Sequence, residues 1–283
     1  MSRSRKARRP ETGTSHGREA RRARRARRLL KTAAVLVAAT LLGGLVAGGL
    51  LFSNLHWGGS ATGPKTAAIV DQLSLTQPNR SFVEAAVTTL EQAGYAVDYY
   101  PGEEVTVDFY RGLPTHDYDL IVLRVHSGLV RQHDQGAENG TLTEYVGLFT
   151  GEPYDDDKYG GAAGAGRLGV GVARYSEDAP PLFAVTPYFI ESTMERTFDG
   201  TVLILMGCDG LKSDRTAESF IEKGAQTFVS WSGKVSASHT DSATERLLYH
   251  LVIDKLATPE AVEQTMAEIG PDPSYGSTLL YYP

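Results

Sequence analysis

The chain has 283 residues, of which 41% are hydrophobic, with one cysteine and a formal net charge of −6. A single cysteine excludes an intramolecular disulfide framework and a cysteine-based zinc site. The charge is unevenly distributed: residues 1–31 hold 13 Lys/Arg against two acids, whereas the remaining residues hold 15 Lys/Arg against 32 acids. A basic head of +11 on an acidic body of −17 excludes a protein that binds nucleic acid along its whole surface.

Residues 33–53 carry no charged side chain. A helix of this length spans roughly 30 Å, the hydrocarbon thickness of a bilayer. We therefore predict a basic cytoplasmic head over residues 1–32, a transmembrane helix over 33–53 and a linker over 54–64. The arginines precede the apolar run, so the positive-inside rule places the following domain outside the cytoplasm. Arg27-Arg28 also resembles a twin-arginine export signal, so a cleaved signal is the alternative to an uncleaved single-pass anchor.

After the linker, short apolar runs alternate with segments of helical periodicity. In chain order, the patterns predict strands at 66–70, 95–100, 120–126, 201–208 and 227–231, and helices at 81–93, 215–223, 241–256 and 258–270. We expect residues 65–283 to form one α/β domain, a three-layer α/β/α sandwich around a mostly parallel sheet. Residues 129–198 break the alternation and are interpreted as an insertion with a hairpin at 142–150 and a glycine-rich loop.

Two of the predicted strands end in reactive side chains. One ends at His126, which precedes Ser127-Gly128, and the other ends at Gly207-Cys208. Carboxyl ends of adjacent parallel strands lie on one edge of a sheet, so the imidazole is expected near the thiol that it would activate. Backbone N–H groups around Gly128 and Gly207 are expected to form an oxyanion hole. The alternative is a buried structural cysteine and a histidine satisfied by local hydrogen bonds.

This pattern resembles the caspase–hemoglobinase fold, the group of caspases, metacaspases, gingipains, clostripain, separase and CHAT domains. Residues 224–235 (GAQTFVSWSGKV) also resemble the segment that follows the catalytic cysteine in CHAT-like members. The resemblance implies a cysteine peptidase with Cys208 as nucleophile and His126 as general base or acid. The chain departs from the family in having His126-Ser127-Gly128 where His-Gly is usual, and Gly207 where Ala or Ser is commoner.

Specificity in this fold is often set by a charged residue near the end of the first strand, the place that Asp71 occupies. The resemblance therefore implies a substrate pocket that contains Asp71, Asp209 and Trp231 and favours a basic P1 residue. The alternative for Asp71 is a cap on a helix or turn.

No motif predicts a metal or cofactor. Gly164-x-Gly166-x-x-Gly169 fits a dinucleotide fingerprint, but no apolar strand precedes it, so a loop is the better interpretation. The acidic residues at 155–157 lack the spacing of a calcium loop and are interpreted as solvated.

We therefore expect a membrane-anchored, extracytoplasmic cysteine peptidase that acts on a peptide or protein substrate and binds no nucleic acid. Two alternatives stay open. One is a non-catalytic caspase-fold module for binding or assembly at the cell surface. The other is a hydrolase or transferase of different specificity that uses the same two residues.

Overall fold

A computed structural model describes residues 64–133, 142–161, 166–172 and 179–283. The predicted basic head, the predicted transmembrane helix and the linker up to residue 63 lie outside these residues. Of the helices described, none has the length and apolar character needed to span a membrane. The described residues form a mixed α/β structure with two sheets.

The larger sheet contains β1 (Thr66–Asp71), β2 (Ala96–Pro101), β3 (Leu120–Arg124), β8 (Val202–Leu205), β9 (Thr227–Trp231) and β10 (Leu279–Tyr282). Their order is β10-β9-β8-β3-β1-β2. Five of these strands run parallel, and β10 pairs antiparallel with β9 at one edge. The predicted mostly parallel sheet is therefore confirmed. Its central strands are continuous apolar runs because both of their faces are covered.

Helices pack on both faces of this sheet. On one face lie α1 (Arg80–Gln92), α5 (Ala237–Leu248) and α6 (Thr258–Ile269); on the other lie α2 (Val107–Gly112), α3 (Pro187–Ser192) and α4 (Arg215–Glu222). Alternation along β3 sends Leu120 and Val122 to the first core, and Ile121 and Leu123 to the second. A buried side chain of this size contributes about 2 kcal/mol, more than a typical exposed ion pair. The two apolar cores are therefore the main support of the sheet.

The smaller sheet is antiparallel and comprises β4 (Ser127–His133), β5 (Leu142–Pro153), β6 (Leu168–Gly171) and β7 (Leu182–Val185), in the order β4-β5-β7-β6. β5 is a single strand of 12 residues that pairs with β4, so the hairpin lies between β4 and β5 rather than within 142–150. Leu148, Leu168 and Val185 face the second core of the larger sheet. The two sheets therefore share one apolar core.

Several boundaries differ from the sequence predictions. β3 ends at Arg124 and β8 at Leu205, so His126 and Cys208 lie in the connections that follow. The helix predicted at 241–256 is α5 followed by a π-helical turn, Tyr249–Ile253. The helix predicted from residue 81 begins at Arg80, and its cap is Asn79, whose side chain accepts a hydrogen bond from the Phe82 N–H. The short elements α2, α3 and β10 were not predicted, because four to six residues show too little periodicity.

Candidate functional site

His126 and Cys208 follow the carboxyl ends of β3 and β8, which are paired in parallel. Both residues line one small cavity of about 90 Å³. The remaining lining residues come from the connections around this edge of the sheet and from the first turn of α5: Leu73, Gln77, Val125, Met206, Gly207, Val235, Ala237 and Thr240. The structure thus gathers the two reactive side chains around one small cavity at the sheet edge.

Ser127 links the two connections. Its Oγ donates a hydrogen bond of 2.6 Å to the carbonyl oxygen of Cys208. A Cβ on Gly207 would lie 2.2 Å from Ser127 Oγ and 2.6 Å from the carbonyl oxygen of Val125, too close for any real contact. The two segments approach so closely that only glycine fits at position 207. Ser127, the residue that departs from the His-Gly pattern, lies at this point of closest approach.

The imidazole of His126 is held by the segment that follows β1. The backbone N–H of His126 donates to Gln72 Oε1 at 2.9 Å, and the ring Nε2 lies 3.1 Å from Thr76 Oγ1. Burial, together with the positive charge of Arg124, holds the pKa of His126 below its usual range. The ring is therefore neutral at pH 7, the form that accepts a proton.

Cys208 is half-buried, and its Sγ lies 3.6 Å from the carbonyl oxygen of Val235, to which the thiol donates. Burial raises the pKa of the Cys208 thiol. The loop that supplies Val235 is fixed by Asp272, which accepts hydrogen bonds from the N–H and the Oγ of Ser236. At rest, Cys208 is therefore a protonated thiol directed at a fixed carbonyl group.

A second, larger cavity of about 570 Å³ lies on the other side of Cys208, over the face of the smaller sheet that points away from the core. The lining residues that the sheet contributes include five with little or no side chain: Gly128, Gly147, Gly169, Gly171 and Ala184. A Cβ on Gly128 would meet nothing within 4 Å, so the space above this residue is open. This cavity provides room beside the thiol for a ligand.

Asp209 and Lys234 are the charged residues that line the larger cavity. Asp209 is 7% exposed, and its Oδ1 has no hydrogen-bond partner among the described residues. The Nζ of Lys212 lies 3.7 Å from this oxygen, close enough for an ion pair but too far for a hydrogen bond. The φ of Asp209 is 61°, a left-handed conformation that is unfavourable for a residue with a side chain. An incompletely paired carboxylate therefore directly follows the thiol-bearing residue.

Asp71 belongs to a buried ion cluster. Arg124 Nη1 donates to Asp71 Oδ1 at 2.8 Å, and Arg124 Nε and Nη2 donate to the two carboxylate oxygens of Asp241 at 2.8 and 2.9 Å. The other oxygen of Asp71 accepts a hydrogen bond from the Tyr99 hydroxyl group. Burial opposes the charge of Arg124, but the hydrogen bonds to Asp241 and Asp71 outweigh it and raise the pKa of Arg124. Asp71, implied above to select a basic substrate, is 1% exposed and lines neither cavity.

Trp231, also implied for the substrate pocket, is fully buried in the core on the α1 face of the larger sheet. Its Nε1 donates to Thr240 Oγ1 at 2.9 Å, and that hydroxyl donates to the carbonyl oxygen of Met206. Trp231 lines neither cavity. Through Thr240, Trp231 therefore helps to fix Met206, which lies in the connection that leads to Cys208.

The sequence analysis missed four residues that surround the site: Gln72, Thr76, Arg124 and Ser127. Arg124 was detectable, because a charged side chain inside an apolar strand is rarely buried without an ionic partner. Thr76 and Gln72 gave no such signal, since they lie in a polar connection whose path depends on tertiary contacts.

The weaker motifs fall in a turn, a strand and a loop where the structure describes them. Gly169 lies in β6 and Gly166 in the turn before it, while Gly164 lies outside the described residues. Glu152 accepts hydrogen bonds from Lys158 and Tyr159 and thereby fixes the acidic loop. Within the ranges that the structure describes, no three His, Cys, Asp or Glu side chains are placed to hold a metal ion.

Comparisons with known proteins add little to this geometry. No family model matches the chain, and no curated protein matches it. Among solved structures, the chain is similar to protein GSU0716 from Geobacter sulfurreducens, with 12% identity and a TM-score of 0.38. The alignment covers 77% of this chain and 93% of that protein. A likeness of this degree carries no argument about function.

Proposed function

We propose that the protein is a membrane-anchored, extracytoplasmic cysteine peptidase of caspase-like architecture, with Cys208 as nucleophile and His126 as general base. The observation that carries this proposal is the placement of the thiol and the imidazole around one cavity at the carboxyl edge of β3 and β8. The helices on both faces of the parallel sheet agree with the three-layer arrangement that the resemblance implies. The anchor is the predicted helix over residues 33–53.

The protonation states at rest suit a mechanism in which the thiolate forms only when substrate is present. Neutral His126 takes the thiol proton as the sulfur of Cys208 attacks the carbonyl carbon of the peptide bond. His126 then gives this proton to the departing amine, the C–N bond breaks, and a thioester remains on Cys208. Water attacks the thioester with His126 as base, and the carboxylic acid leaves as the thiol is restored.

The larger cavity is where the acyl part of the substrate would lie, because Cys208 lines it as well as the smaller cavity. Within that cavity, Asp209 is the carboxylate suited to a basic P1 residue, since Asp71 is engaged with Arg124. Lys234 lines the same cavity, so the preference for a basic residue is expected to be moderate. The backbone N–H of Asp209 donates to the carbonyl oxygen of Gly233, and Gly128 is paired with Gly147 across β4 and β5. The predicted oxyanion donors around Gly128 and Gly207 therefore stay a prediction.

The test uses the full-length chain in detergent micelles and a set of fluorogenic peptides with Arg, Asp or Phe at P1. Cleavage by the wild type is expected to be fastest after Arg, and Cys208→Ala and His126→Ala are expected to abolish it. Asp209→Asn is expected to reduce the Arg-to-Phe ratio of kcat/KM, whereas Asp214→Asn, which changes an acid outside the cavity, is the matched control. Cleavage by Cys208→Ala at the wild-type rate would refute the proposal.

A non-catalytic binding or assembly module is the second candidate. It is favoured by the thiol donating to Val235 and by the raised pKa of Cys208, both of which describe an unreactive cysteine. Because Cys208 is the only cysteine, its labelling by a peptidyl acyloxymethyl ketone reports on one site. Labelling that is lost in His126→Ala supports the peptidase, and an inert thiol in the folded wild type supports the module.

A further inference from the structure

We propose that the larger cavity beside Cys208 binds peptides in which a basic residue is preceded, within two positions, by a large apolar residue. This inference rests on the proposed function, because it names the class of peptide that the site would cleave. Two observations carry it. The floor of the cavity is a strip of sheet with almost no side chains, and its wall holds a buried carboxylate oxygen without a partner among the described residues.

The floor of the cavity is formed where small residues of the smaller sheet lie opposite one another. Gly128 is paired with Gly147 across β4 and β5, and Gly169 with Ala184 across β6 and β7. Residues opposite each other on antiparallel strands share one face of the sheet, where their side chains normally pack together. All four residues line the cavity, so these positions contribute only one methyl group to its floor. Glycine in a strand interior weakens the strand and often marks a place where a ligand or another chain approaches closely.

Apolar side chains flank this strip. Val130 is 36% exposed, and its Cγ2 would lie 3.8 Å from a Cβ on Gly147. The ring of Phe149 would lie 2.7 Å from a Cβ on Gly171, so the ring occupies the space over that glycine. The same ring lies 6.0 Å from the imidazole of His126, between centroids. A bare floor between apolar side chains is complementary to a large apolar side chain, which would make the contacts that the glycines do not make.

The wall of the cavity next to the thiol has the opposite character. Asp209 directly follows Cys208, is 7% exposed, and its Oδ1 has no hydrogen-bond partner within the described ranges. A buried carboxylate oxygen in this state is unfavourable unless a ligand supplies a donor. In a peptide, Lys and Arg side chains carry both a positive charge and N–H donors at the end of a long chain. Lys234 lines the same cavity and would limit the affinity for such a cation.

The charged wall and the bare floor both begin beside the thiol. Ser127 Oγ donates to the carbonyl oxygen of Cys208 at 2.6 Å, and this contact fixes the two connections to each other. Gly128 directly follows Ser127, and Asp209 directly follows Cys208. An extended peptide advances about 3.5 Å per residue. We therefore expect a peptide whose basic residue reaches Asp209 to place one of the two preceding residues over the floor.

The experiment measures peptide binding to the Cys208→Ala variant of the full-length chain in detergent micelles, so that no peptide is cleaved. Fluorescein-labelled peptides carry Arg or Gln at P1, each combined with Phe at P2, Phe at P3 or Ala at both, and protein-free micelles are the blank. The dissociation constant, Kd, is measured by fluorescence anisotropy. We expect Phe at P2 or P3 to lower Kd about tenfold relative to Ala, the factor of one apolar side chain in a pocket. Arg is expected to lower Kd about threefold relative to Gln, because Lys234 opposes the cation.

Two further substitutions in the same background separate the floor from the wall. Gly169→Leu adds an apolar side chain to the floor, since a Cβ there would make ordinary contacts with Ala184 and Thr186. It is expected to remove the preference for Phe and to retain the preference for Arg. Gly112→Leu, in α2 and with no atom within 4 Å of a Cβ, is the matched control. Lys234→Met is expected to lower Kd for the Arg peptides about threefold and to leave Kd for the Gln peptides unchanged.

Equal Kd values for the Phe and Ala peptides, or for the Arg and Gln peptides, would overturn this assignment of the cavity. A preference for Phe that persists in Gly169→Leu would do the same. The two proposals fail in distinguishable ways. Selective binding without peptide cleavage by the wild type would support the cavity and refute the peptidase. Cleavage by the wild type with no preference for Phe would refute the cavity and leave the peptidase in place.

Discussion

The two cavities beside Cys208 are built in opposite ways. The smaller one, shared with His126, is lined by Gln77, whose carbonyl oxygen accepts a hydrogen bond from Arg124. The guanidinium group of Arg124 is bonded through all three of its nitrogens, to Asp71, Asp241 and Gln77. The larger one lies on a sheet face where a Cβ on Gly128 would meet nothing within 4 Å and one on Gly147 or Gly169 would make only ordinary contacts. The first arrangement fixes side chains in position, and the second provides volume. In the proposed peptidase, chemistry and binding would thus be carried by different cavities, both of which Cys208 lines.

The difference also predicts where the protein tolerates change. A substitution near the smaller cavity should affect folding, since buried ions and close backbone contacts allow little adjustment. A substitution on the open face of the smaller sheet should affect binding and leave folding nearly unchanged.

The largest expected effect is that of Arg124→Met, which leaves two buried carboxylates without their partner. Removal of one member of a buried ion cluster destabilises a protein by about 3–5 kcal/mol, and we expect a loss of this size in the free energy of unfolding by urea. Arg80→Met is the control, because the Arg80 side chain is 91% exposed and forms a surface ion pair with Glu84. A loss below about 1 kcal/mol for Arg124→Met would place it among ordinary surface changes and contradict the view of this cluster as a rigid support.

A smaller effect is expected from Gly207→Ala, compared with Gly128→Ala. The first places a methyl group 2.6 Å from the carbonyl oxygen of Val125, whereas the second meets nothing within 4 Å. We expect Gly207→Ala to lower the free energy of unfolding by about 3 kcal/mol, the upper range for overpacking, and Gly128→Ala to leave it within about 0.5 kcal/mol. Equal melting temperatures of the two variants would show that the close approach at Ser127 does not exist.

Gly147→Val tests the other side of the comparison. A Cβ on Gly147 would make ordinary contacts, 3.6 Å from Ala184 Cβ, so the added methyl groups would extend into the larger cavity. If substrate lies there, KM for the best peptide should rise about tenfold while kcat stays close to the wild-type value. Gly112→Ala, in α2 and without near neighbours, is the control. A wild-type KM for Gly147→Val would move the substrate away from this cavity.

The smallest effect is expected from a change of pH between 8 and 6.5. Burial and Arg124 lower the pKa of His126 from its ordinary value of 6.5, so this imidazole, the proposed general base, stays mostly deprotonated over this interval. The value of kcat/KM should therefore change by less than about twofold and fall only below pH 6.5. An acidic midpoint above 6.5 would mean that a negative charge, rather than burial, controls the imidazole.

The parallel sheet and the approach of His126 and Cys208 at its edge were predictable from the sequence, because continuous apolar runs identify buried strands and the two residues lie in the connections after two of them. The roles of Asp71 and Trp231 were not predictable in this way. An aspartate at a strand end has the same sequence pattern whether its carboxylate faces a ligand or a guanidinium group. Asp71 faces a guanidinium group because of Arg124, which is 53 residues away in the sequence. The open face of the smaller sheet was also missed, because its glycines are spread over strands whose pairing register the sequence does not reveal.

The hydrogen bond from Ser127 to the carbonyl oxygen of Cys208 has a mechanical consequence. It joins the two connections just beyond the ends of β3 and β8, where chains are free to diverge. When the sheet twists in thermal motion, both connections are expected to be displaced together, so the separation of imidazole and sulfur varies less than the position of either group. The hydroxyl group of Ser127 would thus couple the motion of the connection that carries His126 to that of the connection that carries Cys208.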